Sequence, residues 1–235
     1  MPEQPEAIET IFDDFARLVP DAMTHWQHPR FFAYFPANAA PVSMLAEQLA
    51  NAMASQAMLW QTAPAANEME ALVVDWMRDA LGLPADFTGT IHDSATTATF
   101  SAVTTMRENA LGFQGIGEGL SGAPTLRIYA SAQTHSSVDK AVRLSGIGQN
   151  NLVKVAGKPD DPRYSMDPAA LDAAIRADLE AGHKPAGVVL ATGGTAIGAC
   201  DDIAACIDVA RAHDLPTHVD AAWAGSAMIC PEFRD

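Results

Sequence analysis

The chain of 235 residues carries 29 acidic against 14 basic side chains, a formal net charge of -15, which argues against charge-driven binding to nucleic acid or an anionic membrane surface. No apolar run approaches the roughly 20 residues needed to cross a bilayer, and the start, Met1-Pro2-Glu3-Gln4-Pro5-Glu6, is acidic where a secretory signal would be basic. The three scattered cysteines, Cys200, Cys206 and Cys230, fit neither a zinc cluster nor a disulfide framework, so the expectation is a cytoplasmic protein with reduced thiols.

Ile8, Ile11, Phe12, Phe15 and Leu18 recur at helical spacing and predict an amphipathic helix over 7–18. The stretch His25-Trp26-Gln27-His28-Pro29-Arg30-Phe31-Phe32-Ala33-Tyr34-Phe35-Pro36 is dense in aromatics, with two prolines that suit neither a helix interior nor a central strand. Its rings either line a pocket or cement the first helices to the body of the protein. Leu45, Leu49, Met53 and Met58 predict a helix over 42–60, apolar around so much of its circumference that it must be covered, a subunit interface being one way to do so. Asn67-Glu68-Met69-Glu70 reads as a capping box for a helix that Gly82 and Pro84 close.

From 90 onward the pattern changes. Strands are predicted over 125–131, 152–155, 187–191 and 216–220, and helices over 95–111, 137–144, 168–181 and 202–213. This alternation implies a largely parallel sheet with helices on both faces. The division is therefore a helical segment over 1–85, read as a dimerisation segment, followed by an α/β domain over 86–235. The glycine-rich stretch 112–122 reads as a flexible loop.

Four strand-to-helix junctions could carry chemistry, because ligands of open α/β sheets bind at the C-terminal ends of the strands. His92-Asp93-Ser94-Ala95-Thr96-Thr97-Ala98-Thr99 offers hydroxyls and a helix N-terminus, an anion site or simply a helix cap. His135 stands at the second, placed to stack on a flat cofactor, to move protons, or merely to start a helix. Thr192-Gly193-Gly194-Thr195 forms the third, where glycine permits close backbone approach. At the fourth, Asp220 precedes Ala221 and Ala222, an arrangement that suits a carboxylate holding a protonated ring nitrogen, or equally an acid capping the next turn. Neither G-x-G-x-x-G nor a P-loop is present. A flat phosphorylated cofactor with a ring nitrogen satisfies all four junctions together, and pyridoxal 5'-phosphate has those features.

These segments, together with Glu68, Glu70 and Asp75-Trp76 and with His218 through Ser226 followed by Cys230-Pro231-Glu232-Phe233-Arg234, resemble the pyridoxal-phosphate-dependent group II decarboxylases, and within them the aromatic-L-amino-acid decarboxylases. The resemblance implies an aspartate-aminotransferase-like large domain, incomplete here, and a homodimer acting on a small amino acid. It implies that Ala95 and Thr96 bind the phosphate, His135 stacks on the ring, Thr192 lies near ring and substrate carboxylate, Asp220 pairs with the ring nitrogen and Ala222 packs on the other ring face. His135, Thr192 and Asp220 would be the catalytic residues. Trp26, Tyr34, Phe35 and Pro36 match the family's substrate-pocket stretch, and Met58 falls where a neighbouring subunit contributes to it.

Two departures stand out. Asp93 occupies a position where relatives commonly have glycine. The family's Schiff-base lysine follows an Asn-Pro-His-like turn beyond the Pro-Glu-Phe-Arg segment, and none of Lys140, Lys154, Lys158 or Lys184 stands in that context. The expectation is therefore that the anchoring lysine lies on a further segment, and that 1–235 alone is inactive. The alternatives are another pyridoxal-phosphate lyase or transaminase of the same fold, or a non-catalytic truncated chain.

Overall fold

The computed structural model describes residues 3–35 and 39–234. The chain divides into two compact units, Met1–Ala66 and Asn67–Asp235. Among the described residues no helix is long and apolar enough to cross a membrane.

The first unit contains α1 (Ile8–Leu18) and α2 (Pro41–Met53), neither of which buries any residue within this chain. The apolar stripe of α1 is instead open, with Phe12 66% and Phe15 57% exposed. Helix α2 is shorter than the 42–60 periodicity predicts: Ala54 turns left-handed at φ 49° and donates its N–H to the Ala50 carbonyl at 3.2 Å, ending the helix. Met58 then lies in a turn region rather than on a helix.

Helix α3 (Pro64–Leu81) begins earlier than the capping box implies, because Pro64 pre-sets the first turn. Glu70 does not close such a box. Its carboxylate accepts the Thr90 hydroxyl and the Ile91 N–H, both at 2.7 Å, bonds that hold its pKa below the usual carboxylate value. A second difference lies in the same region: 85–94 is irregular backbone, so the 92–99 junction is a helix start with no strand before it.

The second unit is built on a four-stranded sheet in which β1 (Leu126–Ser131), β2 (Leu152–Val155), β3 (Lys184–Ala191) and β4 (Thr217–Asp220) are all parallel, in the order β2-β1-β3-β4. Helices α6 (Ser136–Leu144), α7 (Pro168–Glu180) and α8 (Ile203–Ala212) make the three crossovers. Helix α4 (Ala95–Ala110) precedes the sheet, and a four-residue α5 (Gly115–Glu118) interrupts the glycine-rich stretch read as a loop.

Two cores sandwich the sheet. Val103 and Met106 of α4, Ile128 and Ala130 of β1, and Val138 and Val142 of α6 fill one face. Tyr129, Leu171, Ile175, Val188, Leu190 and Cys206 fill the other. Strand β3 bulges at Ala186, since Arg127 pairs with Pro185 while Ile128 pairs with Gly187. The extra residue shifts the alternation, which is why Ala186 and Val189 share one core despite being three apart.

Gly187 faces α4 so closely that an added Cβ would come 2.4 Å from the Met106 sulfur and 2.7 Å from its Cγ. Gly187→Ala would overfill this contact and is expected to cost about 2 kcal/mol, read as a lowered urea midpoint at unchanged m-value.

Candidate functional site

The sheet sends its connecting turns to one edge. Helix α4 runs against the strands, for its Met106 packs at Gly187 in the lower part of β3. Ten helical residues back to Thr96 cover about 15 Å, and five strand residues up to Thr192 cover about 16 Å. The start of α4 is thus level with the C-terminal ends of β3 and β4.

At that start, Ser94 is the N-cap, its Oγ accepting the Thr97 N–H at 3.4 Å, while the Thr97 hydroxyl donates to the Asp93 carboxylate. The N-capping reading therefore claims Ser94 and Thr97. It leaves the N–H groups of Ala95 and Thr96, the first two of the helix, with no acceptor within it. Asp93, where a glycine was the expectation, is folded back onto Thr97.

After β1, His135 caps α6. Its Nδ1 accepts the Ser137 N–H at 3.2 Å, which fixes the ring and puts the proton of the neutral imidazole on Nε2. After β3, Thr192 donates its N–H to the Asp220 carbonyl at 3.0 Å, tying the third junction to the fourth. Gly193 is left-handed at φ 80°, and a Cβ there would meet Ala224 at 2.5 Å and the Trp223 ring at 2.7 Å. A Cβ on Gly194 would lie 3.0 Å from the Gln133 carbonyl. The turn after β3 is thus in contact with the turns after β1 and β4.

Asp220 ends β4 with Oδ1 accepting the Ala222 N–H at 3.3 Å, so the acid caps the next turn. His218, two residues earlier, lies on the α4 side of the sheet. There it lines a cavity of about 290 Å³ with Thr105, Met106, Asn109, Phe113 and Thr217. By strand alternation Asp220 shares that side. The structure accordingly brings Ala95, Thr96, His135, Thr192, Asp220 and Ala222 to one edge of one unit. The donor set suits a flat, phosphorylated ring: N–H groups and a hydroxyl for an anion, an imidazole held by its own helix, and a carboxylate on the α4 side.

Trp26, Tyr34, Phe35 and Met58 belong to the first unit. Trp26 stacks on Phe31 at 5.3 Å and on Tyr34 at 5.4 Å between ring centroids, so these three rings pack on one another. Tyr34 is 79% and Met58 78% exposed. Pro36 lies outside the described residues.

Sequence reasoning passed over His218 and Asp201. His218 was read only as part of a motif. Asp201 is 6% exposed and accepts two backbone N–H groups; its signal was an Asp-Asp pair where a helix cap needs one acid.

A family model described as the pyridoxal-dependent decarboxylase conserved domain matches residues 1–235. Tryptophan decarboxylase 2 of Oryza sativa subsp. japonica is 36% identical over 239 residues, covering 99% of this chain and 47% of that protein. Phenylacetaldehyde synthase of Arabidopsis thaliana is likewise 36% identical over 239 residues, covering 99% and 48%. Among solved structures, the crystal structure of Oryza sativa TDC with PLP and tryptamine superposes with a TM-score of 0.92 at 36% identity, over 100% of this chain and 49% of that one. The chain spans about half the length of the curated relatives it matches.

Burial pushes the His218 imidazole below the ordinary histidine value of 6.5, with the Asp220 charge opposing. The folded state then resists a proton that the unfolded chain accepts, so stability present above pH 6.5 is lost as pH falls through the depressed value. Urea denaturation of wild type and His218→Gln between about pH 7.5 and about pH 5 should show a steeper loss for wild type; parallel curves would contradict this.

Proposed function

The chain belongs to the pyridoxal-dependent decarboxylase family, and on that premise we propose that it is the cofactor-binding half of an enzyme that decarboxylates an aromatic L-amino acid to its amine. One observation carries the reading: the start of α4, His135, Thr192 and Asp220 come from four separate segments to one edge of the sheet, with the Thr192 N–H bonded to the Asp220 carbonyl. Pyridoxal phosphate, when bound, supplies an electron-withdrawing ring that would accept the electron pair left on the substrate when carbon dioxide departs.

The chain's own residues bind and orient. The N–H groups of Ala95 and Thr96, at the positive end of α4, would hold the phosphate, with the Thr96 hydroxyl as a further donor. His135 would stack on one ring face and present Nε2–H to the substrate side, and Ala222 would pack on the other. Thr192 would lie against the ring and near the substrate carboxylate, its hydroxyl within reach of both. Asp220 would accept a hydrogen bond from the protonated ring nitrogen, a charge-assisted bond that keeps the ring cationic. Trp26, Tyr34, Phe35, Pro36 and Met58 would shape the substrate pocket, and a lysine supplied outside 1–235 would anchor the cofactor. The division into a helical dimerisation segment over 1–85 and a cofactor domain over 86–235 belongs to the same reading.

A homodimer is part of it, with a second copy covering the apolar face of the N-terminal helices. Ile8, Ile11, Phe12, Phe15 and Leu18 of α1 form a continuous stripe, each at least half exposed, and such a stripe on a soluble chain calls for a partner. The three free cysteines suit a reducing, cytoplasmic setting. A second product class is favoured by relatives such as the phenylacetaldehyde synthase: an aldehyde in place of the amine, a two-electron oxidation that would take molecular oxygen and water and release ammonia and hydrogen peroxide.

Two measurements test this on the full-length protein. Incubation with L-tryptophan and L-tyrosine should release carbon dioxide and amine in equal amounts, and Asp220→Ala should lower kcat/KM by about a hundredfold or more at unchanged fold; near-wild-type turnover in that variant would sink the assignment, and aldehyde release would favour the synthase chemistry. Sedimentation at micromolar concentration should show a dimer that Phe12→Asp with Phe15→Asp dissociates, whereas a monomeric wild type would refute the interface.

A further inference from the structure

We infer that Asp201 is a positioning residue for the cofactor crevice, holding the turn that carries Thr192 by binding the end of β3 where β1 no longer reaches; this rests on the pyridoxal-phosphate reading above. The strand geometry shows the gap. Val188 and Thr192 donate their N–H groups toward β4, to Pro216 and Asp220, both at 3.0 Å. Alternation then points the Ala191 N–H toward β1. Pairing of β1 with β3 ends at Ala130 and Val189, however, and β1 ends at Ser131. The Ala191 N–H therefore extends past the last partner β1 offers, at the point where β1 and β3 diverge and the chain's crossovers change direction.

Asp201 fills this place. Its Oδ2 accepts the Ala191 N–H at 2.8 Å, and its own N–H donates to the Ala191 carbonyl at 2.9 Å. Its Oδ1 accepts the N–H of Met166, a fully buried residue in the loop before α7, at 2.7 Å. Both carboxylate oxygens and the backbone N–H of one residue thus pin the end of β3 to a second segment.

The turn rises from this base as a closed unit. Thr192 pairs with Cys200 in an antiparallel bridge. Gly193 and Gly194 both donate to the Ala199 carbonyl, at 2.9 and 2.7 Å, and Gly198 donates to Gly194 at 2.7 Å. Against its outer side pack Gln133 and Trp223, from the two neighbouring turns. Any shift of Ala191 would move Thr192 relative to Asp220.

The chemistry of Asp201 is specific to this task. It is 6% exposed, and among the described residues it forms no ion pair. Burial raises its pKa and the two amide bonds oppose that rise. Nearby Cys206, pushed up to about 12 by burial and then by Asp201 and Asp202, supplies no counter-charge. A buried acid satisfied only by two converging amides cannot be replaced by asparagine, whose NH₂ would face one of the donors.

The test is a double-mutant cycle on cofactor affinity in the full-length protein. Apoprotein is titrated with pyridoxal phosphate for wild type, Asp201→Asn, Thr192→Ala and the double variant, with thermal midpoints recorded alongside. Asp201→Asn should raise Kd about tenfold alone, but by no more than about twofold when Thr192 is already alanine. If Asp201→Asn does not fold, Asp201→Glu, which keeps the charge but displaces the carboxylate by a methylene, takes its place in the cycle. Additive effects, or a lowered midpoint with unchanged Kd, would overturn the inference. Wild type is read first: if it binds no pyridoxal phosphate, the functional reading fails and this inference with it.

Discussion

Parallel pairing is the constraint on which the second unit depends. Each strand must leave the sheet at the same edge and return through a helix on one face, so every turn that follows a strand collects at one end. Residues far apart in the chain, His135, Thr192 and Asp220, become neighbours for that reason alone. Helix α4 joins them because it packs antiparallel to the strands at a glycine, Gly187, whose missing side chain lets Met106 settle against β3. Widening that contact would displace the whole first turn of α4, with Ala95 and Thr96.

The edge sorts its acids by burial. Asp201 lies beneath the surface with both oxygens engaged by backbone amides, and it can only hold structure. Asp220, partly exposed, spends one oxygen on the Ala222 N–H. Asp202, one residue from Asp201, pairs with Lys158 at 2.9 Å and caps α8 through the Ala205 N–H at 3.3 Å. Three acids of one chemical type thus serve three purposes, and the local dielectric and the donors within reach make the difference.

The first unit and the outer side of β4 share a different property. Strand β4 pairs only with β3 among the described residues, leaving the Thr217 and Val219 backbone groups on an edge, and α1 and α2 bury nothing. Open strand edges and apolar helix faces are liabilities that soluble proteins cover. The chain spans about half the length of its curated relatives.

Hydrophobic periodicity, proline and glycine positions and the capping residues determined much of the second unit: the strand set, the crossover helices and the junctions bearing His135, Thr192 and Asp220 were legible because each depends on local pattern. Motif order carried the family as well. Tertiary structure decided what local pattern cannot encode. Helix α2 stops at the left-handed Ala54 although its apolar spacing runs on, since periodicity does not record φ. Glu70 abandons its expected cap for Thr90 and Ile91, twenty residues away, because the irregular backbone there has unmet donors. Asp201 finds its place only because the pairing of β1 with β3 ends at Val189, two residues before Ala191. An acid's role is set by which donors converge on it, and donors from Met166 and Ala191 meet only after the sheet has formed.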